Sequence, residues 1–186
     1  MKTKSKFIGL LATTVFAAII GTTNLRAAET KTAPERVGVY DSRVIAYAHF
    51  WTEAHQKKIN DLARTAREAK ATGQTNRYHE LAAQLNRRQE QNHLQVFSTA
   101  PVDNVLAEMK DRVAAVQKEA GVSRLVSKWD DKTLTAYPRD RQVDVTDLLL
   151  REFKLSEKQM KVVEDLRKQK PLPLDQAEKL MREGKL

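Results

Sequence analysis

The residues with the clearest capacity to bind a metal or transfer a proton are the four histidines, His49, His55, His79 and His93. Helices that bind metals usually present their ligands three or four residues apart, and no two of these histidines have that spacing. We therefore interpret them as solvated residues on helix faces, and we predict no metal site.

Adjacent carboxylates at Asp130 and Asp131 could suggest metal binding or acid–base catalysis. Two aspartates between short strand-like runs are also typical of a turn, which their side chains favour by bonding to the local backbone. The sequence contains no glycine-rich phosphate loop, no nucleophile elbow and no H-E-x-x-H zinc motif. We predict that the protein is not an enzyme and that it has no catalytic residues and no cofactor.

Charge and hydropathy at the start of the chain indicate an export signal. Lys2, Lys4 and Lys6 precede an uncharged apolar run at residues 7–21, which is shorter than the ~20 residues that a membrane span needs. Small residues follow, so we predict a signal peptide at residues 1–27, cleavage after Ala27, a flexible segment at residues 28–36 and a periplasmic location. The 186-residue chain carries a net charge of +9.

Without the predicted signal peptide, 29 basic and 24 acidic side chains leave a net charge of +5. This mild excess favours anionic partners such as lipid phosphates or acidic polypeptides and does not by itself indicate nucleic acid. The chain has no cysteine, so packing or oligomerisation must provide its stability.

Two short strand-like runs, V-G-V-Y-D at 37–41 and R-L-V-S-K at 124–128, lie on either side of a long helical stretch. An isolated five-residue strand is not stable, so the helical stretch must leave a sheet and return to it. Residues 43–71 predict one helix, Gly73 a turn and residues 76–97 a returning helix. We predict a protruding helical hairpin, or arm, over about residues 42–98, with few apolar residues between its helices.

The predicted arm concentrates the positive charge of the chain. We interpret eight of its basic residues as candidates for binding a client protein or an anion: Lys57, Lys58, Arg64, Arg67, Lys70, Arg77, Arg87 and Arg88. An ordinary solvated helix surface is the alternative. The nearby aromatic residues Tyr47, Phe50, Trp51 and Phe97 favour packing between body and arm over a ligand platform.

The rest of the chain predicts a body and a tail. A helix should follow the interruption at 98–101 and end at Gly121, and residues 124–137 should form a β-hairpin with its turn at 129–132. Residues 144–153 predict a short helix, and residues 154–186 predict a helical extension with caps at Ser156 and Asp175. The predicted fold class is α+β, mostly helical, with a small antiparallel or mixed β body.

The order of these pieces resembles the Skp, or OmpH-like, family of periplasmic chaperones. The resemblance covers residues 37–153 and depends on V-G-V-Y-D before a long helix, G-V-S with R-L-V-S-K, L-T-A-Y, and V-D-V-T-D-L-L. It implies a homotrimer whose arms enclose unfolded outer-membrane or envelope proteins without ATP, with possible contacts to anionic lipid head groups. It supplies no catalytic residues.

The sequence departs from that family at the interruption in residues 98–101, in its shorter arm, and in the tail from Leu155, for which the family has no counterpart. The tail could cap the body, fill the cavity or block trimer formation. An alternative function is therefore a non-enzymatic adaptor of the envelope that binds one folded partner through the same hairpin.

Overall fold

Three short parallel strands form the sheet of the body. The computed structural model describes residues 35–151 and 153–186. Within them β1 (Val37–Tyr40) lies between β2 (Arg124–Ser127) and β3 (Gln142–Asp144) and pairs in parallel with both. The predicted signal peptide at residues 1–27 and the start of the mature chain lie outside the described residues.

The parallel sheet corrects the predicted antiparallel β-hairpin at 124–137. Asp130 accepts a hydrogen bond from the backbone N–H of Thr133 at 3.0 Å, and the chain forms the helical turn α6 (Asp131–Leu134) where a second strand was predicted. The third strand comes from residues 142–144, on the far side of β1. Parallel strands cannot be joined by a tight turn, and residues 128–141 supply the long connection that carries the chain from β2 to β3.

Close packing at the centre of the sheet explains Gly38. A Cβ atom at this position would lie 2.7 Å from Cδ2 of Leu125 and 3.2 Å from Cγ2 of Val145. A side chain at this position would therefore require the side chains of Leu125 and its neighbours to shift.

The helix predicted over residues 43–71 is two helices, α1 (Ser42–Phe50) and α2 (Glu53–Ala71). Thr52 causes the break: its hydroxyl donates to the carbonyl of His49 at 2.8 Å and accepts from the N–H of His55 at 3.2 Å. The side chain thus closes α1 and caps α2.

The returning helix α3 (Thr75–Phe97) follows a turn at Gly73, whose φ of 73° confirms the predicted left-handed glycine. The next predicted helix is also divided into two helices, α4 (Asp103–Glu108) and α5 (Lys110–Ala120). Gly121 ends α5 with φ 62°, as predicted.

Three helices follow β3: α7 (Thr146–Leu150), α8 (Glu157–Lys168) and α9 (Leu174–Arg182). The capping box predicted at Ser156 and Gln159 is present.

The described residues form two separate apolar clusters, one in the body and one between α2 and α3. In the body, Val44 and Ile45 of α1 pack with Val105, Val116 and Leu149. A second, smaller cluster joins α2 to α3 through Ala66, Ala69 and Leu81, with Leu62, Tyr78 and Leu85 around it. We call α2 and α3 the hairpin, and its thin apolar seam agrees with the sequence pattern.

The tail packs against the body and the base of the hairpin. Helix α8 lies against α1, and α9 lies against α3. Between them, the N–H of Leu172 donates to the carbonyl of Phe97, and the N–H of Thr99 donates to the carbonyl of Leu172, at 3.0 and 2.9 Å. The predicted interruption at 98–101 is therefore bonded to the tail. No helix in residues 35–151 or 153–186 is long and apolar enough to span a membrane.

Candidate functional site

All eight candidate cations are exposed on the hairpin. Four of them form ion pairs within it or with the body: Lys57 with Asp61, Lys58 with Glu108, Arg64 with Asp61, and Arg77 with Glu80, over distances of 2.6 to 3.3 Å. Lys70 places its ammonium group 5.4 Å from the centre of the Tyr78 ring. These five cations are thus partly satisfied by their own chain.

Arg67, Arg87 and Arg88 have no ion-pair partner among the described residues. Arg67 lies on α2 and the other two on α3, so the uncompensated charge is spread along both helices. Such guanidinium groups can bind carboxylates or phosphates without first breaking an internal pair. Sequence reasoning named all three but could not separate them from their paired neighbours.

An open cleft lies where the hairpin meets the body, and we call it the junction cleft. Its volume is about 640 Å³, and it lies between α3 and the connected helices α1 and α2. The cleft is lined by Tyr47, Phe50, Trp51, His55, Gln56, Ile59, Leu85, Asn86, Gln89, Asn92, His93, Val96 and Phe97.

The cleft follows from the sequence of α3. Residues 86–93 contain no apolar side chain, so this part of α3 faces α2 with Asn86, Gln89 and Asn92. Short polar side chains do not fill the space as Leu81 does nearer the tip, and the two helices therefore enclose an open volume. The low apolar content was visible in the sequence, but the cavity it leaves was not.

Two of the predicted packing aromatics are largely exposed. Trp51 is 51% exposed and Phe97 47% exposed, and both line the junction cleft. Trp51 contacts Tyr47 edge-to-face with ring centres 6.3 Å apart, and Phe97 contacts His93 in the same way at 6.0 Å. Both rings therefore lie at the junction between body and arm, but about half of each side chain stays exposed.

Two histidines that we predicted to be solvated are buried instead: His55 lines the cleft, and His49 packs against it. The rings of His49 and His55 lie 5.1 Å apart, and Nε2 of His49 is 3.4 Å from a carboxylate oxygen of Glu108. Burial lowers the pKa of both imidazoles, and the pKa of Glu108 is lowered by its hydrogen bond from Lys58. Both histidines are therefore neutral at pH 7.

A polar cluster that the sequence did not reveal lies at the carboxyl edge of the sheet. Asp41, 1% exposed, accepts hydrogen bonds from Nε1 of Trp129 at 3.0 Å and from the N–H of Arg43 at 3.2 Å, and Lys128 Nζ lies 2.6 Å from its other oxygen. Burial alone would raise the pKa of Asp41, but the hydrogen bonds and charges of Lys128, Trp129 and Arg43 lower it.

The same cluster joins the tail to the sheet. The guanidinium of Arg43, 2% exposed, donates to the carbonyls of Leu166 and Gln169 at the end of α8, both at 2.7 Å, and lies 4.7 Å from the Trp129 ring centre. Each side chain of the cluster forms an ion pair or a hydrogen bond within the fold, so the cluster stabilises the body. The position of Asp41 at a strand end could have indicated it only if the parallel order of the strands were known.

The remaining predicted chemistry does not assemble into a site. Asp130 caps α6, while Asp131 is exposed in its first turn. Within the part of the chain that the structure describes, no three histidine or carboxylate side chains converge to hold a metal.

Comparison of the chain with protein-family models, with curated proteins and with solved structures finds no match.

Proposed function

We propose that this protein is an exported, ATP-independent holdase-type chaperone that binds unfolded outer-membrane or envelope proteins in the periplasm. We further propose, from the motifs of residues 37–153, that it is a divergent member of the Skp/OmpH-like family and acts as a homotrimer. The observation that carries the proposal is the hairpin itself. It extends from a well-packed body, is held together by a thin apolar seam, and carries three arginines that have no ion-pair partner in residues 35–151 or 153–186.

A holdase needs a surface that binds many sequences weakly and does not select one shape. Exposed guanidinium groups meet this need because they bind carboxylates and phosphates through charge and simple geometry. A thin seam lets the two helices adjust to clients of different size, since few apolar contacts oppose their movement. The same surface can contact anionic lipid head groups.

The direct test is suppression of aggregation. An unfolded outer-membrane β-barrel protein is diluted out of denaturant with and without purified protein, and light scattering is recorded. We expect less scattering with the protein present and a weaker effect at high salt, because salt screens exposed charges. Undiminished scattering at several-fold molar excess would refute the proposal. Multi-angle light scattering of the protein alone tests the trimer.

A second candidate is an envelope adaptor that binds one folded partner. The bonds of Phe97 and Thr99 to Leu172 favour it, since they fix the base of the hairpin and a fixed surface suits a partner of fixed shape. Capture of one folded protein with indifference to denatured proteins would support the adaptor over the chaperone.

A further inference from the structure

The junction cleft combines aromatic surface with neutral polar side chains, and the eight candidate cations do not include any residue that lines it. Its volume of about 640 Å³ falls within the ~300–1,000 Å³ typical of ligand sites. Trp51 and Phe97 are the two most exposed large apolar side chains of the described residues, and they come from different elements. Because both side chains line the same cleft, much exposed apolar surface lies together there.

The polar side of the cleft is neutral and suited to peptide groups. No Asp, Glu, Lys or Arg is among the described residues that line it. The carboxamides of Asn86 and Gln89 have no side-chain hydrogen bond to another described residue, whereas Gln56 already donates to the carbonyl of Phe50 at 2.6 Å. A carboxamide both donates and accepts, as a backbone peptide group does.

Cations lie beside this neutral surface. Arg87 and Arg88 follow Asn86 directly on α3, both are exposed, and neither has an ion-pair partner among the described residues. The charge of Arg88 acts on His55, which lines the cleft. An occupant should therefore be apolar and uncharged in the cleft and acidic where it leaves.

We infer that the junction cleft binds the aromatic side chains of an extended, unfolded polypeptide segment in which aromatic and neutral polar residues alternate and acidic residues flank the run. In an extended segment, alternate side chains point to one face, so aromatic rings can meet Trp51 and Phe97. Peptide groups between them can then bond to Asn86 and Gln89. This inference rests on the proposed function, since it names the part of a client that the protein selects.

The test measures binding of a labelled peptide of about ten residues, the length of one membrane-spanning β-strand. One peptide alternates Phe or Tyr with Ser or Thr between acidic ends, and a matched peptide has Thr in place of every aromatic residue. Fluorescence anisotropy gives the Kd of each. We expect the aromatic peptide to bind at least about tenfold more tightly, as truncation of aromatic anchors usually costs that much or more. Equal affinity for the two peptides would overturn the inference.

Substitutions then locate the binding. Trp51→Ala with Phe97→Ala should weaken binding of the aromatic peptide by about tenfold or more. Met160→Ala with Val162→Ala removes similarly exposed apolar surface from α8 and should leave the Kd unchanged. Thermal melts verify that both variants fold. Equal Kd values for the two variants would overturn the inference.

A second pair of variants does not depend on removing aromatic surface. Gln89→Glu places a charge in the neutral cleft, and Gln84→Glu places the same charge on exposed α3 surface outside it. We expect Gln89→Glu to weaken peptide binding and Gln84→Glu to change it little, because a carboxylate loses solvation under an apolar ligand. Equal effects would place the peptide elsewhere on the hairpin and overturn the inference.

Two further outcomes separate this inference from the proposed function. If the Trp51 and Phe97 variant still suppresses aggregation and binds the peptide as the unaltered protein does, the chaperone proposal stands and the cleft inference fails. If the protein binds the aromatic peptide through the cleft but never suppresses aggregation, the cleft inference stands and the chaperone proposal fails. Binding to phosphatidylcholine vesicles with no peptide binding would overturn the cleft inference in favour of a lipid surface.

Discussion

At the scale of single residues, Asp41 caps α1 and also lies at the centre of a buried polar cluster, which its type and its position at a strand end do not reveal. A carboxylate at the end of a central strand is a common place for catalysis, yet here all its close partners belong to the fold: Lys128, Trp129 and the N–H of Arg43. A buried charge of this kind stabilises only while its partners remain, because an unpaired ion in the interior is costly.

Removing the charge of Asp41 therefore tests the cluster. Asp41→Asn should lower the free energy of unfolding by about 3 kcal/mol, since it leaves the buried Arg43 without its carboxylate. Urea denaturation followed by circular dichroism measures the change. The exposed Asp131→Asn is the control and should stay within about 0.5 kcal/mol of the unaltered protein. A similar small effect of Asp41→Asn would contradict the structural role.

The buried histidines predict a pH dependence of stability. His49 lies close to Phe50, His55, Lys58 and Glu108. The positive charge of Arg88 further lowers the pKa of His55. Because the pKa of each imidazole is lowered by burial, the unfolded chain binds more protons than the folded protein below pH 6.5. The stability that the neutral histidines provide is therefore complete above pH 6.5. It is lost as the pH falls towards the pKa values that the two imidazoles have in the folded protein.

We expect the midpoint of urea denaturation to fall between pH 7 and pH 5.5, and His49→Gln with His55→Gln to flatten this slope. His79→Gln, an exposed site on α3, serves as the control and should keep the full slope. Asp41 and Glu108 do not contribute to the slope in this range. Their pKa values are lowered, so the stability that their charged forms provide is lost only below about pH 4.5. An unchanged slope in the double variant would show that the pair does not govern this range.

At the scale of elements, the hairpin and the body should differ in stability. The hairpin seam has three buried residues, whereas the core of the body has many more and is tied to the tail through Arg43 and Leu172. Local opening follows the density of buried contacts, so α2 and α3 should open near their turn more often than α1 opens. The bonds of Phe97 and Thr99 to Leu172 should keep the base of the hairpin fixed when the tip opens.

Truncation of the seam should affect the hairpin alone. Leu81→Ala removes the largest buried side chain of the seam and should destabilise the α2–α3 pairing by about 2–3 kcal/mol. Hydrogen exchange with mass spectrometry should show faster exchange in α2 and α3, with β1 unchanged. Val162→Ala, on the exposed face of α8, is the control. Faster exchange throughout the body would contradict the prediction that the two apolar clusters are stabilised independently.

At the scale of the whole molecule, charge and apolar surface are divided between two regions. Cations without an ion pair to any residue that the structure describes lie along the hairpin, and the exposed aromatic rings lie at its base. A client that has acidic and aromatic segments can contact both regions at once. Two weak contacts on one chain strengthen each other, since the second contact forms at a high effective concentration.

The division of the cations into paired and unpaired sets gives a matched test of the proposed function. Arg67, Arg87 and Arg88 replaced together by Gln should weaken binding of an unfolded client by about tenfold, from about 0.5 kcal/mol for each exposed charge. Replacing Lys57, Arg64 and Arg77 by Gln removes the same net charge, but these cations are already offset by Asp61 and Glu80. We expect a smaller effect from them, measured as client Kd by anisotropy. Equal effects at low salt would show that only net charge matters.

Local features of the molecule were predictable from the sequence. The turn at Gly73, the helix end at Gly121 and the capping box at Ser156 depend on residues within one or two helical turns, so their spacing along the chain was enough to predict them. The exposure of the eight cations was predictable for a different reason: a charged side chain stays in water unless, as at Arg43, the fold supplies partners for it.

The tertiary structure alone decided the features that join distant segments. The parallel order of the strands depends on contacts between residues 37–40, 124–127 and 142–144, and Arg43 meets the end of α8 across more than a hundred residues. The junction cleft depends on how α3 packs against α1 and α2, which the spacing of residues along the chain does not indicate. The periodicity of a sequence predicts which face of a helix is apolar. Only the tertiary packing determines which element covers that face and which part of it stays exposed.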